Sequence, residues 1–345
     1  MAEVVLQTLA FFGGFALIIL GVDWFMDNAK ELIEKRRLSP YLLGAISFGI
    51  DVEEIIASIA AAILGYPTVA VGNAIGNNTI ALTIPLAIPG FFLAYRVKKV
   101  PRPFIITIVG QLLVIVVSIY SKASFGLSFS FLGIATIALY ACLLAYNAWF
   151  VRKMTVTTPT GDLDKILDGH VELENEDPDG DPVESRESQP ASEAVATNRK
   201  VLMMVVAAIM VSTGAWVLGD GLQGVIDGLG ISQHVVGYVI VALGVNAEEF
   251  VIAFKSARRK IPEVGIGSLL MKTAWNLGLT YGISVIVDGN VPIAPSLAWN
   301  LALLVVAFVS IMMILRNGKM NCVSSTAMTV LFSAAMLVNL LVLQA

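Results

Sequence analysis

Apolar residues run along this chain in long blocks separated by short charged or turn-rich breaks. The blocks fall near residues 4–26, 40–65, 68–95, 103–121 and 126–150, and again near 201–222, 234–254, 263–287, 293–315 and 323–343. Each approaches the roughly 20 residues that carry an α-helix across a hydrocarbon core. A helix satisfies every backbone N–H and C=O within its own segment, which lipid demands. The pattern therefore predicts an all-α polytopic membrane protein with ten transmembrane helices and both termini on one side.

One break is much longer than the rest. Residues 155–199 are rich in Asp, Glu, Ser, Pro and Gly and poor in large apolar residues, a composition that cannot repay its ordering entropy. The chain thus divides into a first five-helix unit (1–150), an acidic disordered linker (151–199) and a second five-helix unit (200–345). Asp177, Asp179 and Asp181 faintly resemble a calcium loop, but the remaining EF-hand positions are missing and prolines interrupt the run.

Basic residues orient the frame. Alternate loops, together with the linker and Lys200, hold 20 Lys and Arg residues, whereas the opposite loops hold only Lys122 and one lysine, Lys272, lies inside a span. Cytoplasmic loops are enriched in Lys and Arg. The linker is therefore expected in the cytoplasm of a plasma-membrane protein, with both termini outside. The N-terminus carries no basic run ahead of its first apolar block, so a cleaved signal peptide is not expected.

Composition agrees with this picture. Of 345 residues 57% are hydrophobic and 14% charged, against about 25% charged in soluble domains. The net charge of −4 is a property of the linker: residues 151–199 hold twelve acids and five bases, a balance of −7, so the remainder sums to +3. No basic face is large enough for nucleic acid. Cys142 and Cys322 show no metal-type spacing.

The two units resemble each other. Shifting residues 49–82 by 195 lays them without a gap on 244–277: Gly49 meets Gly244, Glu53 and Glu54 meet Glu248 and Glu249, Pro67 meets Pro262, and Gly72 meets Gly267. With five spans per unit, the second copy must insert upside down. Two inverted-topology repeats with polar, Gly-interrupted helices are the layout of secondary transporters, whose site lies near the midplane between the copies.

Charged residues inside the spans mark that site. An acid at a helix centre costs about 2.5–3.5 kcal/mol on insertion scales, and this chain places Asp51, Glu53 and Glu54 in the second span and Glu248 and Glu249 at matching depth in the seventh. Asp51 and Glu54 share a helix face, as do Asn246 and Glu249, while Glu53 and Glu248 point about 100° away. The interior set is then Asp51, Glu54, Asn246 and Glu249. The partner spans add Asn73, Asn77, Asn78, Thr79 and Thr83 in one repeat, and Ser268, Lys272, Thr273 and Asn276 in the other. Carboxylates, amides and backbone carbonyls suit a hard cation, and Gly49 and Gly244 let the helix open to offer carbonyls.

These motifs resemble the α-repeats of the calcium:cation antiporter superfamily, which includes sodium/calcium and calcium/proton exchangers. Each α-repeat there reads Gly-Thr-Ser-x-Pro-Glu, followed by Gly-Asn-x-x-Gly-Ser-Asn-x-x-Asn or Asp. The resemblance implies a central site shared by calcium and sodium ions, no soluble cofactor, and alternating access by movement of the first and sixth helices. It places Glu54 and Glu249 at the principal metal-ligand positions, Asn276 at the final amide of the second repeat, and Asn78 at the asparagine after the Gly-Ser pair of the first, with Asn77 beside it counted among the cation-binding residues. The departures are Ile50-Asp51 and Val245-Asn246 for Thr-Ser, Glu53 and Glu248 for the proline, Ala81 for the first terminal Asn, and Lys272 for serine, with Thr273 following it.

A charged lysine has three donors and no acceptor, so it cannot ligate a metal. Asp51, Glu54 and Glu249 contribute −3 and Lys272 brings the cluster to −2, the charge that one divalent ion neutralises. Lys272 is expected to pair with Asp51 as a tethered cation in place of one sodium ion; the bland alternative is that it snorkels to a boundary. The leading function is a secondary antiporter exchanging calcium, or a similar divalent cation, for sodium, with Glu54, Glu249, Asp51 and Asn276 as metal ligands. The alternatives are a calcium/proton exchanger in which Lys272 gives up its proton, a non-transporting sensor or scaffold, and an intramembrane enzyme. No nucleophile or His-containing motif accompanies the acids to favour the last.

Overall fold

The computed structural model describes residues 2–36, 39–50, 52–63, 67–126, 128–157, 190–229, 246–287 and 295–343. The first apolar block folds as α1 (Ala2–Arg36) and the sixth as α7 (Pro190–Leu229), both longer than the spans they contain. At ~1.5 Å per residue each exceeds a bilayer core of ~30 Å, so their ends project beyond it. α6 (Phe129–Thr157) runs into the start of the expected linker and α7 begins within its end. The rest of the linker lies outside the described residues.

Lipid offers no hydrophobic drive for helices to associate, so close packing of small residues does the work. The pairing of α1 with α7 shows this directly. A Cβ on Gly14 would sit 2.5 Å from the Gly214 carbonyl oxygen, and one on Gly214 would sit 2.8 Å from that of Gly14. The two backbones therefore touch. Ile18, Phe25, Val211 and Leu218 fill the seam together with Phe48, while Leu9, Phe12, Leu202 and Ile209 are exposed on the outer faces.

The second block is interrupted rather than a single continuous helix. α2 (Pro40–Phe48) opens on a proline, which fits a first turn, and ends at Gly49; α3 (Val52–Ile63) starts afresh after it. α4 (Pro67–Phe92) follows, with Pro85 and Pro89 inside it. Its apolar window is 72% buried, against 22–33% for the other long apolar helices, so α4 is the axial helix about which the rest assemble. Six described helices are long and apolar enough on their own to cross a membrane, in α1, α4, α5 (Arg102–Phe125), α6, α7 and α11 (Pro295–Arg316).

The eighth block forms α9 (Pro262–Trp275), a π-helical turn (Asn276–Thr280) and α10 (Tyr281–Val287) without a break. It is preceded by α8 (Ala247–Arg258) and followed by α11 and α12 (Cys322–Leu343). α9 lies so close to α2 that a Cβ on Gly267 would run into the Tyr41 carbonyl, and one on Gly44 into the Val264 carbonyl. Ile75, Leu82, Leu269, Leu277, Tyr281, Leu304 and Phe308 make the core around α4.

Polar ties gather where the basic loops lie. Lys255 meets Asp23 at 2.5 Å and Arg259 meets Asp27 at 2.5 Å and Asp23 at 3.8 Å, a two-rung ladder joining α8 and the turn after it to α1. Tyr41 donates to the Lys98 carbonyl at 2.5 Å, and the Lys98 N–H donates to Glu263 at 2.9 Å, fastening the loop after α4 to α2 and α9. In that loop β1 (Tyr95–Arg96) pairs antiparallel with β2 (Lys319–Met320), and burial pushes the Tyr95 phenol well above its ordinary range.

Candidate functional site

The polar centre is assembled from the starts of α3 and α8, the middle of α4 and the last turn of α9, which holds Lys272. Glu54 lies in the first turn of α3 and Glu249 in the first turn of α8. A helix N-terminus carries a partial positive charge and favours an anion. That placement follows from the break at Gly49 and Ile50, and from α8 starting only at Ala247. Both carboxylates are buried, at 3% and 1% exposure.

Each glutamate meets the residue 23 positions further along. Asn77 donates from Nδ2 to Glu54 Oε1, and Lys272 donates from Nζ to Glu249 Oε1. These contacts are equivalent under the shift of 195 that relates the halves. Asn246, the N-cap residue of α8, makes no capping bond; its Nδ2 donates instead to Asn77 Oδ1 at 2.7 Å. Asparagine ordinarily caps with its side chain, so the helix start has given up a local bond for one across the site.

Lys272 closes the arrangement. Besides Glu249, its ammonium lies 3.4 Å from Glu248 Oε1 and 4.0 Å from Glu54 Oε1, the oxygen that accepts from Asn77. One set of polar contacts runs from Glu54 through Asn77 to Asn246, the N-cap of α8, and another joins Glu54 and Glu249 through Lys272. Lys272 is 1% exposed, which overturns the snorkelling alternative. The expected partner Asp51 lies outside the described residues.

Two features differ from expectation. Glu248 was expected to point away from the site, yet it reaches Lys272. The 100° rule describes neighbours on a helix flank, whereas Lys272 has a four-carbon stem long enough to touch two successive acids in one first turn. Thr273 is fully buried, but its hydroxyl donates to the Leu269 carbonyl of its own helix at 2.8 Å.

The remaining amides form a second polar string. Asn276 donates to Asn78 Oδ1 at 3.4 Å, Thr280 donates to Asn276 Oδ1 at 3.2 Å, and Ser284 donates to the Thr280 carbonyl at 2.7 Å. Asn78 uses its own Nδ2 on the Ala74 carbonyl at 2.7 Å. The π-helical turn lies at the centre of this string. Such turns recur at functional sites, and here Gly278 rests against the Tyr140 ring, where a Cβ would collide. Thr280 and the π-turn have no counterpart in the sequence reading; Gly278 two residues after Asn276 is the only local signal.

The donor set is oxygen-rich and suits a hard cation. Among the described residues, however, no three His, Cys, Asp or Glu side chains converge as a ready metal-ligand group. The Lys272 ammonium stands among the three described carboxylates.

Comparisons with known proteins identify the family and the fold. The family model described as sodium/calcium exchanger protein matches residues 6–149 and 199–341, both units with the linker left out. The chain is 21% identical over 267 residues to an uncharacterized membrane protein of Methanocaldococcus jannaschii, covering 77% of this chain and 76% of that one. It is 20% identical over 333 residues, 93% of each chain, to a protein of Alkalimonas amylolytica given the provisional name antiporter CaxA. Its fold is similar to that of the sodium-calcium exchanger NCX_Mj soaked with Na+ and Sr2+, with a TM-score of 0.68 and 19% identity over 96% of this chain and 98% of that one. Against the same exchanger soaked with Na+ and zero Ca2+ the TM-score is 0.69 over the same shares. With both halves matched by one family model, the chain belongs to the sodium/calcium exchanger protein family and is a membrane ion antiporter, not an enzyme.

Proposed function

We propose that this protein exchanges calcium, or a similar divalent cation, for sodium across the plasma membrane by alternating access. Glu54 and Glu249 are the principal ligands, with Asp51 and Asn276 completing the set and Asn77, Asn78, Asn246 and Thr273 shaping the cavity. Both termini face outward and the linker is cytoplasmic. The two units act as inverted repeats, with α1 and α7 moving as a pair against the rest. Their glycine contact and exposed outer faces support that motion.

The observation that carries the reading is the contact of Lys272 with Glu249 beside Glu54. An ammonium there acts as a resident monovalent cation. It balances one carboxylate in the place of an exchanged ion, so fewer sodium ions are needed per cycle than a site without the lysine requires. The same contact favours a second reading, calcium/proton exchange, in which the displaced lysine releases a proton instead.

Calcium flux into proteoliposomes under separately imposed sodium and pH gradients tests both. Uptake driven by a sodium gradient at equal pH is expected; uptake driven by a pH gradient alone selects the proton reading. Glu54→Gln and Glu249→Gln are each expected to abolish flux, and wild-type flux in both would remove the site. Absence of flux under every gradient, with binding intact, would make the protein a sensor or scaffold.

A further inference from the structure

We infer that Glu248 is the carboxylate that receives the Lys272 ammonium when a divalent cation takes Glu54 and Glu249. The inference rests on the site proposed above and adds a residue to it that positions the lysine.

The problem it solves is geometric. Lys272 Nζ donates to Glu249 and lies 4.0 Å from Glu54 Oε1. A divalent cation bound by those two glutamates would share their oxygens with an ammonium, and two cations repel strongly where water is excluded. The ammonium therefore has to move, and Glu248 Oε1 is already 3.4 Å away. Rotation about the four-carbon stem covers that step without displacing backbone.

Three features suit Glu248 to the role. It lies in the first turn of α8, where the helix N-terminus favours an anion. Its side chain is 14% exposed, whereas those of Lys272 and Glu249 are 1% exposed, so it can hold an ammonium at the edge of the site. Finally, the two largest departures from the α-repeat motif in this half, glutamate for proline at 248 and lysine for serine at 272, touch each other. A lysine at 272 needs a second acceptor, and a proline at 248 supplies none.

The test is calcium binding by titration calorimetry on the purified full-length protein, in the native background and in Lys272→Ser. Glu248→Gln is expected to raise Kd about tenfold with Lys272 present, the scale on which one well-placed charge contact acts, and Glu248→Asp to restore it. With Ser at 272 there is no ammonium to receive, and the same change is expected to alter Kd by less than about twofold. An equal penalty in both backgrounds, or none in the native one, overturns the inference. Glu54→Gln and Glu249→Gln are titrated alongside. Wild-type Kd in both removes the underlying site, whereas lost binding there with Glu248→Gln indifferent to residue 272 removes this inference alone.

Discussion

The ammonium of Lys272 stands 4.0 Å from Oε1 of Glu54 although the two residues lie in opposite halves of the chain. One side chain from the second unit thus reaches a buried carboxylate of each. Asn77, its equivalent in the first unit, bonds both Glu54 and Asn246 and so also spans the halves. The two units are thus joined at their centre by the groups proposed to hold the ion.

Lys272→Ser removes the tethered charge and leaves the Glu249 carboxylate buried without it. Breaking a buried pair costs about 3–5 kcal/mol, so the variant is expected to unfold at lower temperature in calcium-free buffer. Added calcium is expected to restore stability by more than it stabilises the native protein. Thermal unfolding in detergent with and without calcium measures both. Equal calcium stabilisation of the two proteins would remove the tethered-cation reading.

The two principal glutamates are expected to differ when neutralised. In Glu54→Gln the amide oxygen can still accept from Asn77, so the local bond survives. In Glu249→Gln the buried Lys272 exchanges a carboxylate partner for a neutral one, although Glu248 at 3.4 Å still offers a charge. Hydrogen bonds to charged groups are worth about 1.5–3 kcal/mol against 0.5–1.5 for neutral ones. The second variant should therefore be less stable by roughly 1 kcal/mol, read from unfolding midpoints in calcium-free buffer. Equal midpoints would mean that Lys272 is held chiefly by other carboxylates.

How far the sequence spoke depended on the range of the interaction. Apolar blocks and the repeat at a shift of 195 located Glu54, Glu249, Asn77 and Lys272, because insertion cost and depth are local properties of a segment. The burial of Lys272 is a tertiary fact: nine residues from a basic loop, a lysine could snorkel or turn inward, and only the carboxylates facing it decide. Glu248 departs from the helix-flank expectation because it lies in the first turn of α8, within reach of the long Lys272 side chain. The π-turn at Asn276 includes Gly278, which meets Tyr140 across a helix interface, a contact that no local pattern encodes. Helix ends also ran past the hydrophobic blocks, since α1 and α7 continue into water, where polar residues are free to remain helical.

The ladder of Asp23 and Asp27 with Lys255 and Arg259 joins α1 to the α8 end of the bundle, yet its side chains are 19–54% exposed. Exposed pairs contribute about 0.2–1 kcal/mol each and are screened by salt. Lys255→Met and Arg259→Met are accordingly expected to lower stability by less than about 1 kcal/mol apiece, with the difference shrinking at high salt. Chemical unfolding at low and high ionic strength reads this. A loss of several kcal/mol that persists in salt would show the ladder to be a structural pillar rather than a weak tie.

The close approach of α9 to α2 gives the opposite expectation for a single methyl group. At Gly267 an added Cβ meets the Tyr41 carbonyl and the backbone atoms behind it, none of which can rotate away. Relief requires one helix to move, and over-packing of this kind costs typically 1–3 kcal/mol, occasionally more. That movement would also strain the Tyr41 bond to Lys98, since both contacts are made at the same residue. Gly267→Ala is therefore expected to lower the unfolding midpoint more than either ladder variant, although it removes no charge. Gly13, where an added Cβ meets nothing within 4 Å, is the control. Gly13→Ala should leave the midpoint unchanged or raise it slightly, because alanine is favoured over glycine in a helix by about 1 kcal/mol. Similar midpoints for the two alanine variants would mean that α9 and α2 have room to part.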